Sequence, residues 1–101
     1  MSLLYRIYNI VMKIEYDQAK NQANIKERDL SFDNVALLDW DTALIAQDVR
    51  GHDEQRFIAL AMLDGRLHVV CYTWRGEVRR VISFRKANKR EVAIYEKAIN
   101  E

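Results

Sequence analysis

Hydrophobic and polar positions along this chain change period as it runs. A short β-like stretch, Lys13 to Tyr16, comes first, and behind it Asp17 can cap a helix in which Ala19, Ala23 and Ile25 recur at helical spacing. The apolar face of that helix is mostly alanine, so the expectation is close approach to whatever it packs on. Ser31-Phe32-Asp33-Asn34 then leads into Val35, Ala36, Leu37 and Leu38, and an oxygen-bearing cap before an apolar run predicts a second, short helix.

From Thr42 the pattern becomes strand-like. Thr42–Val49, Gln55–Leu63, Leu67–Trp74 and Val78–Phe84 are rich in β-branched and aromatic residues and are separated by short polar gaps. Asp64-Gly65 is a strong hairpin signal and Arg75-Gly76-Glu77 a second turn of similar length. Four strands joined by such links predict an antiparallel meander, with the short N-terminal strand as an optional addition. The last element reads as a helix again, with Asn88 as cap, Glu91 in capping-box position and Val92, Tyr95 and Ile99 on one face. The expected fold class is α+β: two N-terminal helices, a four-stranded antiparallel sheet and a C-terminal helix.

The chain has 101 residues, half of them hydrophobic, enough for one domain. Leu3 to Met12 is apolar but interrupted by Arg6 and Asn9, and is shorter than the roughly 18 residues that cross a bilayer. Met12 opens a stretch that reads like a natural start, so residues 1–11 are taken as an N-terminal extension or an artefact and 12–101 as the domain. Cys71 is alone, which rules out an internal disulfide and fits a reducing, cytoplasmic setting; its apolar neighbours suggest a buried thiol. The formal charge of +1 conceals an uneven distribution. Seven bases (Arg75, Arg79, Arg80, Arg85, Lys86, Lys89, Arg90) lie between Arg75 and Arg90 against one acid, Glu77.

Strict alternation within the strands places Arg56 with Ile58 and Leu60, and Arg80 with Val78 and Ile82, while Arg79 and Arg85 fall with Val81 and Ser83. Glu54, Arg56, Arg75, Arg80 and Arg85 are all at or near strand ends, and whether they gather at one sheet edge depends on a register that alternation leaves open. Several arginines with one Glu and no evident nucleophile suit phosphodiester chemistry, because guanidinium groups bind phosphate oxygens bidentately and offset transition-state charge. The Glu could orient them or accept the proton of a ribose 2′-OH. The alternative is a solvated basic face on a non-catalytic module that binds protein or RNA.

Other chemistry is thinly represented. His52 beside Asp53 reads as a surface turn residue, His68 alternates with Val70 and Tyr72 and reads as partly packed, and Ser83 lacks triad partners. No spacing matches a metal site, and the glycines never cluster into a phosphate loop or dinucleotide fingerprint, so neither metal nor cofactor is expected. Trp40 and Trp74 suit either base stacking or core and interface anchoring.

Four stretches together resemble the BrnT toxins of bacterial type II toxin–antitoxin systems, whose fold is similar to that of RelE ribonucleases. They are Tyr16-Asp17-Gln18-Ala19-Lys20 with Asn24; Ser31-Phe32 with Ala36; Glu54-Gln55-Arg56-Phe57-Ile58-Ala59-Leu60; and Thr73-Trp74-Arg75-Gly76 leading through Arg80-Val81-Ile82-Ser83-Phe84-Arg85-Lys86-Ala87 to Arg90-Glu91 and Tyr95. The resemblance implies an endoribonuclease neutralised by a BrnA-type antitoxin, in a hetero-oligomer that meets DNA only through the antitoxin. It implies catalytic roles for Glu54, Arg56, Arg75, Arg80 and Arg85, with Lys20, Arg79, Lys86 and Lys89 as further RNA contacts. Three features depart from the family pattern. Arg28-Asp29 stands where His-Gly is common, so Asp29 would need a backbone conformation that Gly tolerates better. Ala61 replaces a usual Gly, and Phe84 a usual small residue, where its bulk beside Arg85 would narrow a cleft.

Overall fold

The computed structural model describes residues 12–51 and 53–101. Strand β1 (Ile14–Tyr16) is followed by helix α1 (Gln18–Arg28), then by 3₁₀ segments at Phe32–Leu37 and Trp40–Thr42. Strands β2 (Leu44–Asp48), β3 (Arg56–Leu63), β4 (Arg66–Arg75) and β5 (Val78–Lys86) and helix α2 (Lys89–Ile99) complete the domain. The sheet has five strands in the order β1-β5-β4-β3-β2. The meander forms as expected from β2 to β5, but β1 adds to the outer edge of β5 in parallel, so the sheet is mixed and not purely antiparallel. Pairing Ile14, Glu15 and Tyr16 with Arg79, Arg80 and Val81 satisfies edge groups of β5 that a four-stranded meander would leave open.

Local signals account for the element ends. Asp17 accepts from the Lys20 backbone N–H, and Asn88 and Glu91 form a reciprocal capping box. Asp64 and Gly65 both have positive φ, at 50° and 75°, as a type I′ hairpin requires. In the next turn Gly76 has φ 61°.

The second expected helix is a 3₁₀ segment instead. Phe32, Val35 and Leu38 are buried at intervals of three, which matches three residues per turn and leaves Leu37 exposed. Helix α1 also departs from expectation, because Ala19 and Ala23 are exposed and Asn21 is its one buried residue. Amides, not alanines, dock it. Asn21 Oδ1 accepts from Phe32 N–H at 2.8 Å, and Asn24 Nδ2 donates to the carbonyls of Leu30 and Phe84 at 2.9 and 3.0 Å.

Two cores lie on opposite faces of the sheet. The larger contains Leu30, Phe32, Val35 and Leu38 from the 3₁₀ region, packed on Ala59, Ala61, Val70, Tyr72, Val81 and Phe84; this is the core face. On the other face α2 places Tyr95 and Val92 against Leu60, Leu67 and Val69, and the Tyr95 hydroxyl donates to the Thr42 carbonyl at 3.0 Å. The rest of that second face carries the arginines.

Candidate phosphate-binding site

Which arginines share a face is decided by one irregularity. Between β4 and β5 the pairing runs Tyr72 with Val81 and then Cys71 with Ser83, so Ile82 is an extra residue on β5. A bulge of this kind reverses the alternation beyond it. Val81 and Phe84 therefore both enter the core face, and Arg80 and Arg85, which strict alternation separates, lie on the same face. Register carries the same assignment across the sheet: Arg80 pairs with Thr73, Arg85 with Val69, and Arg75 lies two residues beyond Thr73 on β4. Arg56 on β3 precedes Phe57, the partner of Tyr72, and so falls beside Thr73 on this face, while Glu15 joins it from β1. Thus Arg56, Arg75, Arg80 and Arg85 form one strip. The backbones of Arg56 and Arg80 are two strand spacings apart, about 10 Å, and Arg85 lies about 15 Å along β5 from Arg80.

The side chains of Arg56, Arg80 and Arg85 are 30, 29 and 38% exposed, open to a ligand while their stems rest on the sheet. Each has a carboxylate neighbour. Arg56 Nε lies 3.6 Å from Glu54 Oε1, and Arg80 Nη1 lies 3.9 Å from Glu15 Oε1. Arg85 Nη1 and Nη2 are each 2.8 Å from one oxygen of Glu91. The hydrogen bonds of this last pair hold the Glu91 carboxyl below the usual carboxylate range and raise the Arg85 guanidinium further above its ordinary value. Glu54 and Arg56 also line a surface cavity of about 430 Å³ with Gly51 and Asp53. Cys71, expected to be buried, is only partly so, and stands on this face opposite Ser83; burial raises its thiol pKa.

Arg79 is placed apart from the strip. It lies on the core face, 8% exposed, with its guanidinium carbon 3.7 Å from the Trp40 ring centre, 4.5 Å from Trp74 and 4.6 Å from Tyr72. Nη1 donates to Met12 Sδ at 3.0 Å, and among the described residues Nε has no hydrogen-bond partner. Burial lowers its pKa from the ordinary arginine value. The expected RNA contact is therefore a buried cation inside an aromatic cage, removed from the arginine face by the alternation of adjacent strand residues. The same cage resolves the two tryptophans: both pack on Arg79, with Trp74 keeping an exposed edge.

The remaining expected contacts are dispersed. Lys20 is exposed on α1, Lys89 is exposed in the first turn of α2, and Lys86 pairs with His68 at the end of β5, on the core-face side of the register. Phe84 does not narrow the arginine cleft; the bulge turns it into the core, 1% exposed and tilted against the His68 ring. His68 itself is fully buried, with Nδ1 2.8 Å from the Arg66 carbonyl. Asp29 does take up the left-handed conformation, φ 54° and ψ 40°, as the cap of α1. His52 and residues 1–11 lie outside the described residues. Sequence reasoning missed Glu15 and the second role of Glu91. The signal for Glu91 was its place on α2 six residues after Arg85, hidden behind its evident capping role.

Among the described residues no group of three or more His, Cys, Asp or Glu could hold a metal ion, and no helix is long and apolar enough to cross a membrane. No curated protein matches the sequence. Residues 16–91 match the family described as ribonuclease toxin, BrnT, of type II toxin–antitoxin systems, a span that contains α1, the whole arginine strip and Glu91. With most of its length inside that match, the chain belongs to the BrnT family of ribonuclease toxins.

Proposed function

We propose that this protein is an endoribonuclease toxin that cleaves RNA on the arginine face without a metal ion, and that a BrnA-type antitoxin neutralises it in the cytoplasm. One observation carries the reading: the Ile82 bulge gathers Arg80 and Arg85 with Arg56 and Arg75 onto one half-open face beside Glu54 and Glu15. Family membership supplies the substrate class and an antitoxin partner. The RelE-like comparison belongs to this proposal, as does the assignment of roles.

The Glu54 carboxylate takes the proton of a ribose 2′-OH, whose oxygen attacks the adjacent phosphorus. The bond from phosphorus to the 5′-oxygen breaks, that oxygen takes a proton from solvent, and a 2′,3′-cyclic phosphate remains. Arg56 and Arg80, flanking Thr73, stabilise the added negative charge, and Arg75 and Arg85 contact the same phosphate or its neighbours along the strip. These guanidinium groups supply positive charge that a metal brings in other nucleases. Lys20, Lys86 and Lys89 serve as flanking backbone contacts, whereas Arg79 leaves the set.

Expression in a bacterial host tests the roles. Arg80→Ala and Arg85→Ala are expected to relieve growth arrest at undiminished protein level, and retained toxicity in both would overturn the assignment. A non-catalytic module using the same face would bind RNA in a salt-dependent manner and leave it intact.

A further inference from the structure

Three arginines of the strip have acidic neighbours, but they are held very differently. Arg56 and Arg80 each make one looser contact, at 3.6 and 3.9 Å. Arg85 is clamped: Nη1 and Nη2 both reach Glu91 at 2.8 Å, and Nη1 also donates to the Lys86 carbonyl at 3.3 Å. Glu91 is fixed in turn, because Oε1 accepts from the Asn88 backbone N–H at 2.9 Å in the capping box of α2. The side chain of Glu91 is 20% exposed, less than either Glu15 or Glu54.

A guanidinium offers two parallel donor pairs, one across its end and one along its side. Glu91 occupies the end pair, Nη1 with Nη2, and Lys86 the outer hydrogen of Nη1. The side pair, Nε with the outer hydrogen of Nη2, meets no acceptor among the described residues. That pair has the spacing that matches two oxygens of a phosphate. Holding the end of the group fixes the plane of the rest, at the point where the part of the face covered by α2 gives way to the open part.

We propose that Glu91 is a positioning residue, which clamps the end of the Arg85 guanidinium and presents its free side to a backbone phosphate of the RNA. The proposal rests on the nuclease reading of the arginine face and adds a residue that would not itself touch the substrate. It also gives α2 a second role: its first turn ties a strand residue to the helix cap, so helix docking and arginine placement are one event.

The test uses four proteins: wild type, Glu91→Gln, Arg85→Ala and the double variant. Gln remains an acceptor for the Asn88 N–H, so the cap survives and thermal unfolding of Glu91→Gln should stay near wild type. Two properties are measured, cleavage of RNA and affinity for an uncleavable 2′-O-methyl oligonucleotide by fluorescence anisotropy. Glu91→Gln should lower kcat/KM about tenfold, the scale of one charge-assisted hydrogen bond, and weaken the oligonucleotide about threefold. In the Arg85→Ala background it should change neither. Losses that add in the double variant would show a merely structural role, and a gain in Glu91→Gln would show that Glu91 competes with phosphate; either overturns the proposal. If wild type binds the oligonucleotide but leaves RNA intact, the nuclease reading falls alone and the coupling in affinity still decides the role of Glu91. Absence of both binding and cleavage overturns the two together.

Discussion

Arg79 and Arg80 are adjacent in sequence and lie on opposite faces of the sheet, so replacing each by alanine separates a buried cation from one on the open face. Arg79→Ala removes a cation from three rings at 3.7, 4.5 and 4.6 Å, each contact about 1 kcal/mol in a desolvated setting. It also strips about three buried methylenes at about 0.8 kcal/mol each. Against this, the cost of a buried charge whose Nε has no hydrogen-bond partner among the described residues disappears, about 2 kcal/mol. The net loss is about 3 kcal/mol, which in a domain of this size lowers Tm by more than about 10 °C. Arg80→Ala removes one 3.9 Å ion pair to a partly exposed Glu15 and should cost less than about 1 kcal/mol. Urea unfolding followed by circular dichroism measures both, and Arg79→Met, which keeps the volume and drops the charge, should fall between them. Equal losses at the two positions, or an Arg79→Ala protein as stable as wild type, would refute the assignment of the neighbours to opposite faces.

Further expectations concern α1 and the pH dependence. Asp29→Gly relieves a left-handed L-residue at the end of α1 and should stabilise the protein by about 0.5–1 kcal/mol, visible as a rise in Tm. Burial holds His68 neutral and lowers its pKa from the ordinary 6.5, so the unfolded chain takes up the proton first. Stability from this group is therefore unaffected above about pH 6.5 and falls as pH drops below it, levelling off under the folded value; urea midpoints against pH should show the fall, and His68→Gln should flatten it.

What the sequence made legible was local. Asp17, Ser31 and Asn88 cap as expected because each bonds a backbone N–H two or three residues away, and Asp64-Gly65 turns as expected because its two positive φ angles are intrinsic to those residues. The site residues were recognisable as types, arginines with acids near strand ends. Their grouping was not, because it depends on Ile82. One extra residue in β5 reverses the alternation after it, bringing Arg85 onto the face of Arg80 and sending Phe84 into the core. Nothing within nine residues of β5 announces that bulge; it is set by which side chains fill the space against Tyr72 and Val70. Arg79 was misread for a related reason. Its aromatic cage is assembled from Trp40, in a 3₁₀ segment, and from Tyr72 and Trp74 on the neighbouring strand, a convergence that exists only in three dimensions.

Helix α1 is likewise docked by contacts that its sequence pattern does not show. Alanines at helical spacing suggested an apolar face, yet the two asparagines between and beside them make the attachments, bridging to Leu30, Phe32 and Phe84. A carbonyl or amide buried without a partner is costly, so polar side chains can dock a short helix as firmly as methyl groups do.

On the proposed reading, the arginine face cleaves RNA by attack of the 2′-oxygen without a metal ion. The most direct test is incubation of purified wild type and Arg80→Ala with a single-stranded RNA in EDTA, followed by analysis of the product ends. Expected are cleavage by wild type alone, products ending in a 2′,3′-cyclic phosphate and a 5′-hydroxyl, and resistance of a strand carrying 2′-deoxy residues. Cleavage that needs a divalent ion, persists in Arg80→Ala or leaves 5′-phosphate ends would contradict it.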